Sequence, residues 1–585
     1  MASYYIVKID ISSKQKYIFS SNKLKEVIGA SEIIKFVTEQ LGGKILRFLH
    51  KEKLDFIDKS GNINCKGNVL FEAGGNAMYI FTEENDAKMF NRVFSKFVME
   101  YFDGLELVIV IQEFNMQVDA IDKIYDCIES KLTVKKGIRK NEFKRIGYGL
   151  TKLCTSTRKP AGYETKEGNI VSKESKDKLD FFDIKYEKGK KNYFIDKNKL
   201  EIGKEDLKEK ISKNLDKHLK EKLKGFQFTD ELDIIAGKLN EGSYIGVTCI
   251  DGNGMGKKIS TFNENFRKNN TFKGNEEKFN INYIKEFNKL TEEIKDKYLE
   301  AFAYTIGELI KNYDNYCNKI HFNLLDKIIP LRPIIMAGDD IVFVSNGKIA
   351  IDATRIFTEE ITEKKVQFGN EIYNLTTSAG IAIVKRNHPF FRAVKLAGEL
   401  EKSSKKRLKK IKKSFNALSN KDNYSTKNEY DASLIDWHID RGNSSGELAD
   451  IRNRCNKNEP YESTEDKQEL VARPYIVSIG MEKELINSKI SDSDLEKLKV
   501  IMNFKFDNFF KVLNAVNSSE MKSNLKGFFR TMNLSDIDSE LFALKYNLQS
   551  KIEGDFDVSL LKQVVYDAID TMDLYVYVEG EHENG

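Results

Sequence analysis

Two aspartates side by side at the tip of a tight hairpin restrict the folds open to this chain more than any other feature of it. Ile334-Ile335-Met336 and Ile341-Val342-Phe343-Val344 are short apolar runs that read as buried strands, and Ala337-Gly338-Asp339-Asp340 joins them. The Gly338-Asp339 step fits the two-residue turn of a hairpin. A further apolar run, Tyr244 to Ile250, ends at Asp251-Gly252-Asn253-Gly254-Met255-Gly256-Lys257. Adjacent carboxylates repel: two unit charges about 4 Å apart cost roughly 4 kcal/mol at an effective dielectric of about 20. Hard divalent cations, which prefer oxygen ligands, offset that cost. With Asp251 as a third carboxylate from a neighbouring strand, Asp251, Asp339 and Asp340 become the candidate catalytic and metal-binding set of a two-metal phosphoryl-transfer site, with Gly252 beside them at the metals.

The plainer reading of Gly-Asp-Asp is a surface turn with both side chains solvated. The stretch after Asp251 weighs against it. A glycine-rich turn that leaves a strand, opens a helix and carries Lys257 and Lys258 is a phosphate-cradle pattern. Asn253, Gly254, Met255, Gly256 and Lys257 are therefore candidate nucleotide-binding residues.

The same order of elements occurs earlier in the chain. A strand over residues 4–9 ends at Asp10 and leads into a helical stretch with Ile28, Ile33, Ile34 and Val37 at helical spacing. Val69-Leu70-Phe71, then Gly74-Gly75-Asn76-Ala77, then Met78-Tyr79-Ile80-Phe81 repeat strand, turn and strand, and a helix near 87–102 and a strand at 105–111 follow. Aligned as a duplication, Asp10 takes the place of Asp251, Lys16 that of Lys257, and Gly74–Ala77 that of Ala337–Asp340. The first copy thus keeps its glycines and lacks the hairpin carboxylates, so it reads as a structural or nucleotide-accommodating half. The order strand-helix-helix-strand-strand-helix-strand in the second copy matches a ferredoxin-like palm.

Four segments are expected: a degenerate first palm (1–150), a Lys-rich connector with solvated helix faces (151–240), a catalytic second palm (241–430), and a linker with a C-terminal helical domain (431–585). The fold class is α/β, of the mixed α+β kind. The second palm holds a long helical insertion over 282–316, whose Phe287, Leu290, Ile294 and Tyr298 read as core. It also holds a strand at 377–384 and a helix from Pro389 to about Lys413. Lys395, Lys402 and Lys405 on that last helix are candidates for a triphosphate, because lysine serves phosphate as a point charge. Residues 414–464 read as polar loop, and the tail as helices at 494–504, 509–516, 520–532 and 560–570.

Composition bounds the setting. The 585 residues carry a net charge of +5 with both signs mixed, which excludes a wholly basic nucleic-acid tail or an acidic one. The six cysteines form no CxxC pair, which fits a reducing compartment and gives no sign of a zinc knuckle. The first residues lack a signal peptide and no apolar run approaches the roughly 20 residues needed to span a bilayer, so the chain reads as soluble and cytoplasmic, with no membrane partner.

Asp251–Gly256, Ala337–Asp340, Ser378-Ala379-Gly380-Ile381-Ala382 and the helix from Lys395 to Lys405 together resemble the second palm of the large subunit of type III CRISPR effector complexes. This is the Cas-ten/Cmr-two family, related to GGDEF nucleotidyl cyclases. Gly74–Ala77 resembles its degenerate first palm. The resemblance implies an enzyme that polymerises ATP into cyclic oligoadenylate second messengers for antiviral signalling when target RNA binds. It implies Mg2+ or Mn2+, two per site, on Asp251, Asp339 and Asp340. Gly338 would let the nucleotide approach closely, and Lys405 would match a lysine that touches phosphate. Guide and target RNA and other effector subunits are the implied partners. None of the six histidines is followed by aspartate, so no DNase activity is expected. The family's usual first hairpin glycine is Ala337 here. Ser378 is a candidate for reading a base, against the plainer role of a buried strand serine. The alternatives are an enzymatically silent scaffold for RNA and protein, or a cyclase making another dinucleotide, an AMP conjugate or a GTP-derived signal.

Overall fold

The structure, a computed structural model, describes residues 3–57, 63–138, 151–186, 223–237, 243–322, 327–419, 431–442, 471–480, 503–548 and 558–578, apart from a few positions within these spans, with short pieces at 193–195 and 202–204. The helix expected over 494–504 falls, but for its last two residues, outside them.

Near the N-terminus, β1 (Ser3–Ser12), α1 (Leu24–Phe36), β2 (Val69–Ala73), β3 (Asn76–Phe81), α2 (Glu84–Tyr101) and β4 (Glu106–Asn115) build one sheet in the order β2-β3-β1-β4, all pairs antiparallel. That is the ferredoxin-like arrangement. Ala87, Phe90, Phe94, Phe97 and Val98 fall on one face of α2 and are buried. α3 (Ile121–Ile138) follows β4, burying Ile121, Tyr125, Ile128 and Leu132 along one stripe. The three- and four-residue spacing of that stripe is the sequence signature of this helix.

The connector corrects the expectation of solvated charge. α4 (Lys173–Tyr186) packs on α1, and Lys178 is fully buried. Its ammonium donates to the Tyr17 carbonyl (2.7 Å), Ser20 Oγ (2.7 Å) and Glu174 Oε1 (2.6 Å). A buried, fully bonded ion pair ties this helix to the segment between β1 and α1. Lys178→Ala is expected to lower unfolding free energy by about 2 kcal/mol in urea titrations, because it removes a charged hydrogen bond from the Glu174 carboxylate, which keeps Lys159 at 2.6 Å, and leaves the Tyr17 carbonyl without its donor.

The second sheet repeats the first and extends it. β5 (Tyr244–Gly252), α5 (Met255–Asn269), α6 (Glu276–Lys311), β6 (Leu331–Ala337), β7 (Asp340–Asn346), α7 (Ala350–Glu363), the hairpin β8 (Lys365–Phe368) and β9 (Glu371–Asn374), β10 (Thr377–Lys385) and α8 (Phe390–Ser419) follow in turn. The strands lie in the order β6-β7-β5-β10, the same as in the first sheet. β11 (Ala432–Asp440) then pairs parallel to β10, and β12 (Tyr475–Ile479) antiparallel to β11. The sheet therefore runs past 430 into the stretch expected to be polar loop. β11 was hidden because its polar Ser433, Asp436 and Asp440 are buried along with Leu434, Ile435 and Trp437.

α9 (Phe506–Asn517), α10 (Lys522–Met532), α11 (Asp536–Lys545) and α12 (Val558–Thr571) form the tail. Trp437 stacks on Tyr475, meets Phe509 at 5.0 Å between centroids, and donates its indole N–H to Thr571 Oγ1 at 3.0 Å. The tail thus shares a core with the end of the second sheet. Among the described residues, no helix is long and apolar enough to cross a membrane.

Candidate active site

β5 and the β6–β7 hairpin bring the three aspartates together. β5 pairs with β7 from Ile245 opposite Asn346 to Ile250 opposite Ile341, so the register sets Asp251 beside Asp340 at the strand ends. On its other side Asp251 pairs with Ser378 of β10. Ala337 pairs with Asp340, leaving Gly338 and Asp339 as the turn. Gly338 has φ +66°, the left-handed region, where a side chain is strained. Ala337 is not among the positive-φ residues. Alanine at the position usually glycine therefore costs the turn nothing.

Asp339 folds back over Gly252. A Cβ on Gly252 would lie 2.9 Å from Asp339 Cβ and Oδ2 and 2.7 Å from the Tyr298 hydroxyl. Tyr298, read from sequence as core only, comes up from α6 beneath the hairpin. Its buried hydroxyl has no hydrogen-bond partner among the described residues. It is a spare polar group at the floor of the acidic site.

The electrostatics follow from this crowding. Burial, then repulsion from Asp251, pushes Asp339 up to about 6, against the pull of Lys405 and Lys258. Burial, then Asp251 and Asp339, pushes Asp340 up to about 7, with Lys14 of the first sheet pulling it back. Lys405, on α8, donates to Asp251 Oδ2 and pairs with Glu401 Oε1 at 2.8 Å. Burial opposes the Lys405 charge, yet these two bonds hold its pKa above the ordinary lysine value.

The donor set is hard oxygen at adjacent strand ends, as a divalent cation requires. Among the described residues, no three His, Cys, Asp or Glu side chains close into a ready-made metal cage. Lys405 holds one Asp251 oxygen, Oδ2, so an ion that takes that oxygen would displace its ammonium. Asp251, Asp339 and Asp340, the Gly252 carbonyl and the spare Tyr298 hydroxyl fit such an ion in chemistry.

The cradle residues divide into supports and surface. Asn253 is buried: its amide donates to the Ala432 carbonyl (3.0 Å), and its Oδ1 accepts from Ser378 Oγ (2.8 Å). Ser378 is 0% exposed, so this geometry gives it the plainer role of supporting the loop. Gly254 adopts φ +64° and opens α5, with Gly256 and Lys257 exposed on the first turn. Lys258 is buried, donates to the Asn374 carbonyl at 3.3 Å, and lies over the Tyr373 ring. Beside them opens a cleft of about 200 Å³ lined by Gly254, Lys257, Lys258, Tyr373, Lys412 and Asp431. Lys402 and Lys395 are exposed on α8, and Lys395 pairs with Glu399 at 3.5 Å.

The first sheet needs a one-residue correction. Ala73 pairs with Asn76, so the turn is Gly74-Gly75. Ala73–Asn76, rather than Gly74–Ala77, therefore matches Ala337–Asp340. Gly75 stands where the second sheet has Asp339, and Asn76 where it has Asp340. Asp10 pairs with Asn76, as the Asp251 register requires. Lys16, matched to Lys257 from sequence, is exposed and 3.8 Å from Glu106. Lys14 is the lysine that faces the site. The two hairpins also touch: a Cβ on Gly74 would lie 2.8 Å from Ala337 Cβ.

A pH test follows. The raised Asp339 and Asp340 values sit above the unfolded value of about 3.9. Their stabilising contribution is therefore complete below about pH 4 and is lost as pH rises through about 7. Without divalent cations, Asp340→Asn is expected to gain stability over wild type by about 4 kcal/mol between pH 4 and pH 8. Thermal unfolding at each pH reads this, and a gap that stays constant would contradict it.

Comparison with known proteins agrees on part of the chain. Residues 244–415 match the family model described as Cas10/Cmr2, second palm domain. Among solved structures, the chain is similar to a Csm1–Csm4 cassette in complex with cA4, at 13% identity and TM-score 0.39, covering 98% of this chain and 70% of that one. It is also similar to the cassette in complex with pppApA (13%, 0.36, 69% and 53%) and to Csm1 of T. onnurineus (14%, 0.35, 69% and 52%). The chain spans about half the length of these last two. No curated protein matches it.

Proposed function

We propose that this chain, with a segment matching the second palm domain of Cas10/Cmr2, is a metal-dependent nucleotidyltransferase. In this reading it joins ATP into cyclic oligoadenylate-type second messengers, as a subunit of an RNA-activated, type III CRISPR-like defence complex. The observation that carries it is the set of three aspartates at adjacent strand ends, with Asp339 folded over Gly252 next to a glycine-opened helix.

The reaction is attack of a ribose hydroxyl on the α-phosphorus of a second nucleotide, with pyrophosphate leaving. Divalent ions, when bound, would lower the hydroxyl's pKa and neutralise the triphosphate. Asp251, Asp339, Asp340 and the Gly252 carbonyl would hold them. Gly338, with no side chain, leaves room above the hairpin for the nucleotide. Gly254 and Gly256 bare the start of α5, where free N–H groups attract phosphate. Lys405, released from Asp251, would turn to phosphate oxygens, and Lys257 and Lys402 add positive charge nearby. Asn253 and Ser378 keep the cradle in place. The protein contributes positioning and charge, without a covalent intermediate.

The test is incubation with each nucleoside triphosphate and Mg2+ or Mn2+, with and without candidate RNA, followed by mass spectrometry of the products. Cyclic or linear oligoadenylates are expected. GTP-only turnover would assign a different cyclase, and turnover that persists in Asp339→Asn/Asp340→Asn would place the chemistry elsewhere. No turnover under any condition leaves the scaffold reading.

A further inference from the structure

Two turns of the connector are joined side chain to side chain, and both carry the same spacing. Cys154 and Thr157 stand three residues apart in the first, Ser172 and Ser175 in the second. The first turn closes a short hairpin. Leu153 bridges Pro160, the Cys154 N–H donates to the Lys159 carbonyl at 2.8 Å, and the Arg158 N–H donates to the Cys154 carbonyl at 3.0 Å. Arg158 takes a left-handed φ of +58° as the turn ends. The second turn opens α4, where Ser172 Oγ accepts from the Ser175 N–H at 3.2 Å.

The links between the turns are direct. Thr157 Oγ1 and Ser172 Oγ share a hydrogen bond of 2.8 Å, and Lys159 pairs with Glu174 Oε2 at 2.6 Å. Cys154, Ser172 and Ser175 are buried, and Cys154 is in no disulfide. Burial pushes the Cys154 thiol up. Hydrogen bonds to its sulfur from the Thr157 and Ser172 N–H groups, the Thr157 hydroxyl and the Ser156 N–H outweigh burial and bring it down to about 7. Donors from both turns thus converge on one sulfur. Three residues after Ser172, on the same side of the helix, the Ser175 hydroxyl is buried with no hydrogen-bond partner among the described residues.

Two such pairs, one on a hairpin turn and one at a helix start, are the frame on which four cysteines hold a structural zinc ion. Zinc takes thiolate, imidazole or carboxylate ligands, and three of these four positions carry hydroxyls. The residues present therefore do not fit the metal.

We propose that the connector is a zinc-ribbon frame closed without zinc, in which the Cys154 sulfur and the Thr157–Ser172 hydroxyl pair make the join that a metal ion would make. Cys154 is then the central hydrogen-bond acceptor of the connector, not an apolar filler. The frame also anchors the connector to the first sheet's helix: Ser156 Oγ donates to Glu26 Oε1 of α1 at 2.9 Å, beside the packing of α4 on α1.

Two experiments on the full chain test this. In the first, Thr157→Cys/Ser172→Cys/Ser175→Cys is titrated with Co2+ under reducing conditions. Thiolate-to-cobalt absorption that saturates at one equivalent is expected, lost on adding Zn2+, which should raise the urea midpoint of the variant. Adding Cys154→Ala should weaken this cobalt binding at least tenfold. Wild type should give no such absorption, since cobalt at the aspartate hairpin would have oxygen ligands. In the second, urea unfolding compares single variants. Cys154→Ser, which still accepts hydrogen bonds, should keep more stability than Cys154→Ala, which strands buried donors. Thiolate-to-cobalt absorption in wild type, or none in a folded triple variant, would overturn the frame. Should the triple variant not fold, the second experiment decides: Cys154→Ala at least as stable as Cys154→Ser would make Cys154 an ordinary core residue and overturn it.

Discussion

Replacing Asp339 and Asp340 with asparagine is expected to cut nucleotide transfer at least a thousandfold while leaving the fold intact or more stable. The two effects have one cause. Burial and mutual repulsion hold both carboxyl groups well above their ordinary values, so their charge at neutral pH is a standing cost to the fold. Removing the charge relieves that cost and also removes the hard anionic oxygens that a divalent cation needs. Loss of one strong electrostatic stabiliser at a transition state costs about 100- to 1000-fold in rate, and here two go together. Steady-state turnover and a thermal melt on the same preparation read both. A variant that is inactive and markedly less stable would mean that the hairpin aspartates act as structural acceptors.

The largest loss of stability is expected far from the hairpin, at Asp567. Its carboxylate is 0% exposed and accepts from the Ala472 and Arg473 amides (3.0 and 3.1 Å) and the Tyr475 hydroxyl (2.9 Å). The Arg473 guanidinium, itself buried, lies 3.2 Å away and over the Trp437 ring. Asp567→Ala leaves that guanidinium with Asp570 Oδ2, at 3.2 Å, as its counter-charge and strips three buried donors of their acceptor, which together cost about 3 kcal/mol. The effect should reach the active site. α12 holds β12 and β11, and the Ala432 carbonyl at the start of β11 receives the amide of Asn253 in the cradle. Asp567→Ala is therefore expected to lower both the urea midpoint and turnover, with Asp567→Asn between it and wild type. A loss below about 1 kcal/mol would show that α12 is held by its apolar contacts alone.

Legibility from sequence followed the range of the interactions. The Asp251 loop and the Gly338-Asp339 hairpin could be read because strand, turn and charge are contiguous. The repeat could be read because each copy keeps its elements in order. Lys14 and Tyr298 could not. They lie on helices, and what they face depends on strand register and on the contact between two sheets. The one-residue offset in the first hairpin has the same origin: Gly74-Gly75 looks like the start of the motif until pairing shows it to be the turn. Lys178 and β11 were misread for another reason. Charged and polar residues signal solvent by default, and here they are buried with partners from distant segments.

The most direct measurement is the anomalous scattering of manganese in crystals grown with Mn2+ and a non-hydrolysable ATP analogue. Peaks within coordination distance of Asp251, Asp339 and Asp340, about 2.0–2.3 Å from their oxygens, are expected, with Lys405 turned away from Asp251. Nucleotide bound with no manganese at these carboxylates, or manganese bound elsewhere while Lys405 stays on Asp251, would contradict a metal-dependent transferase at this hairpin.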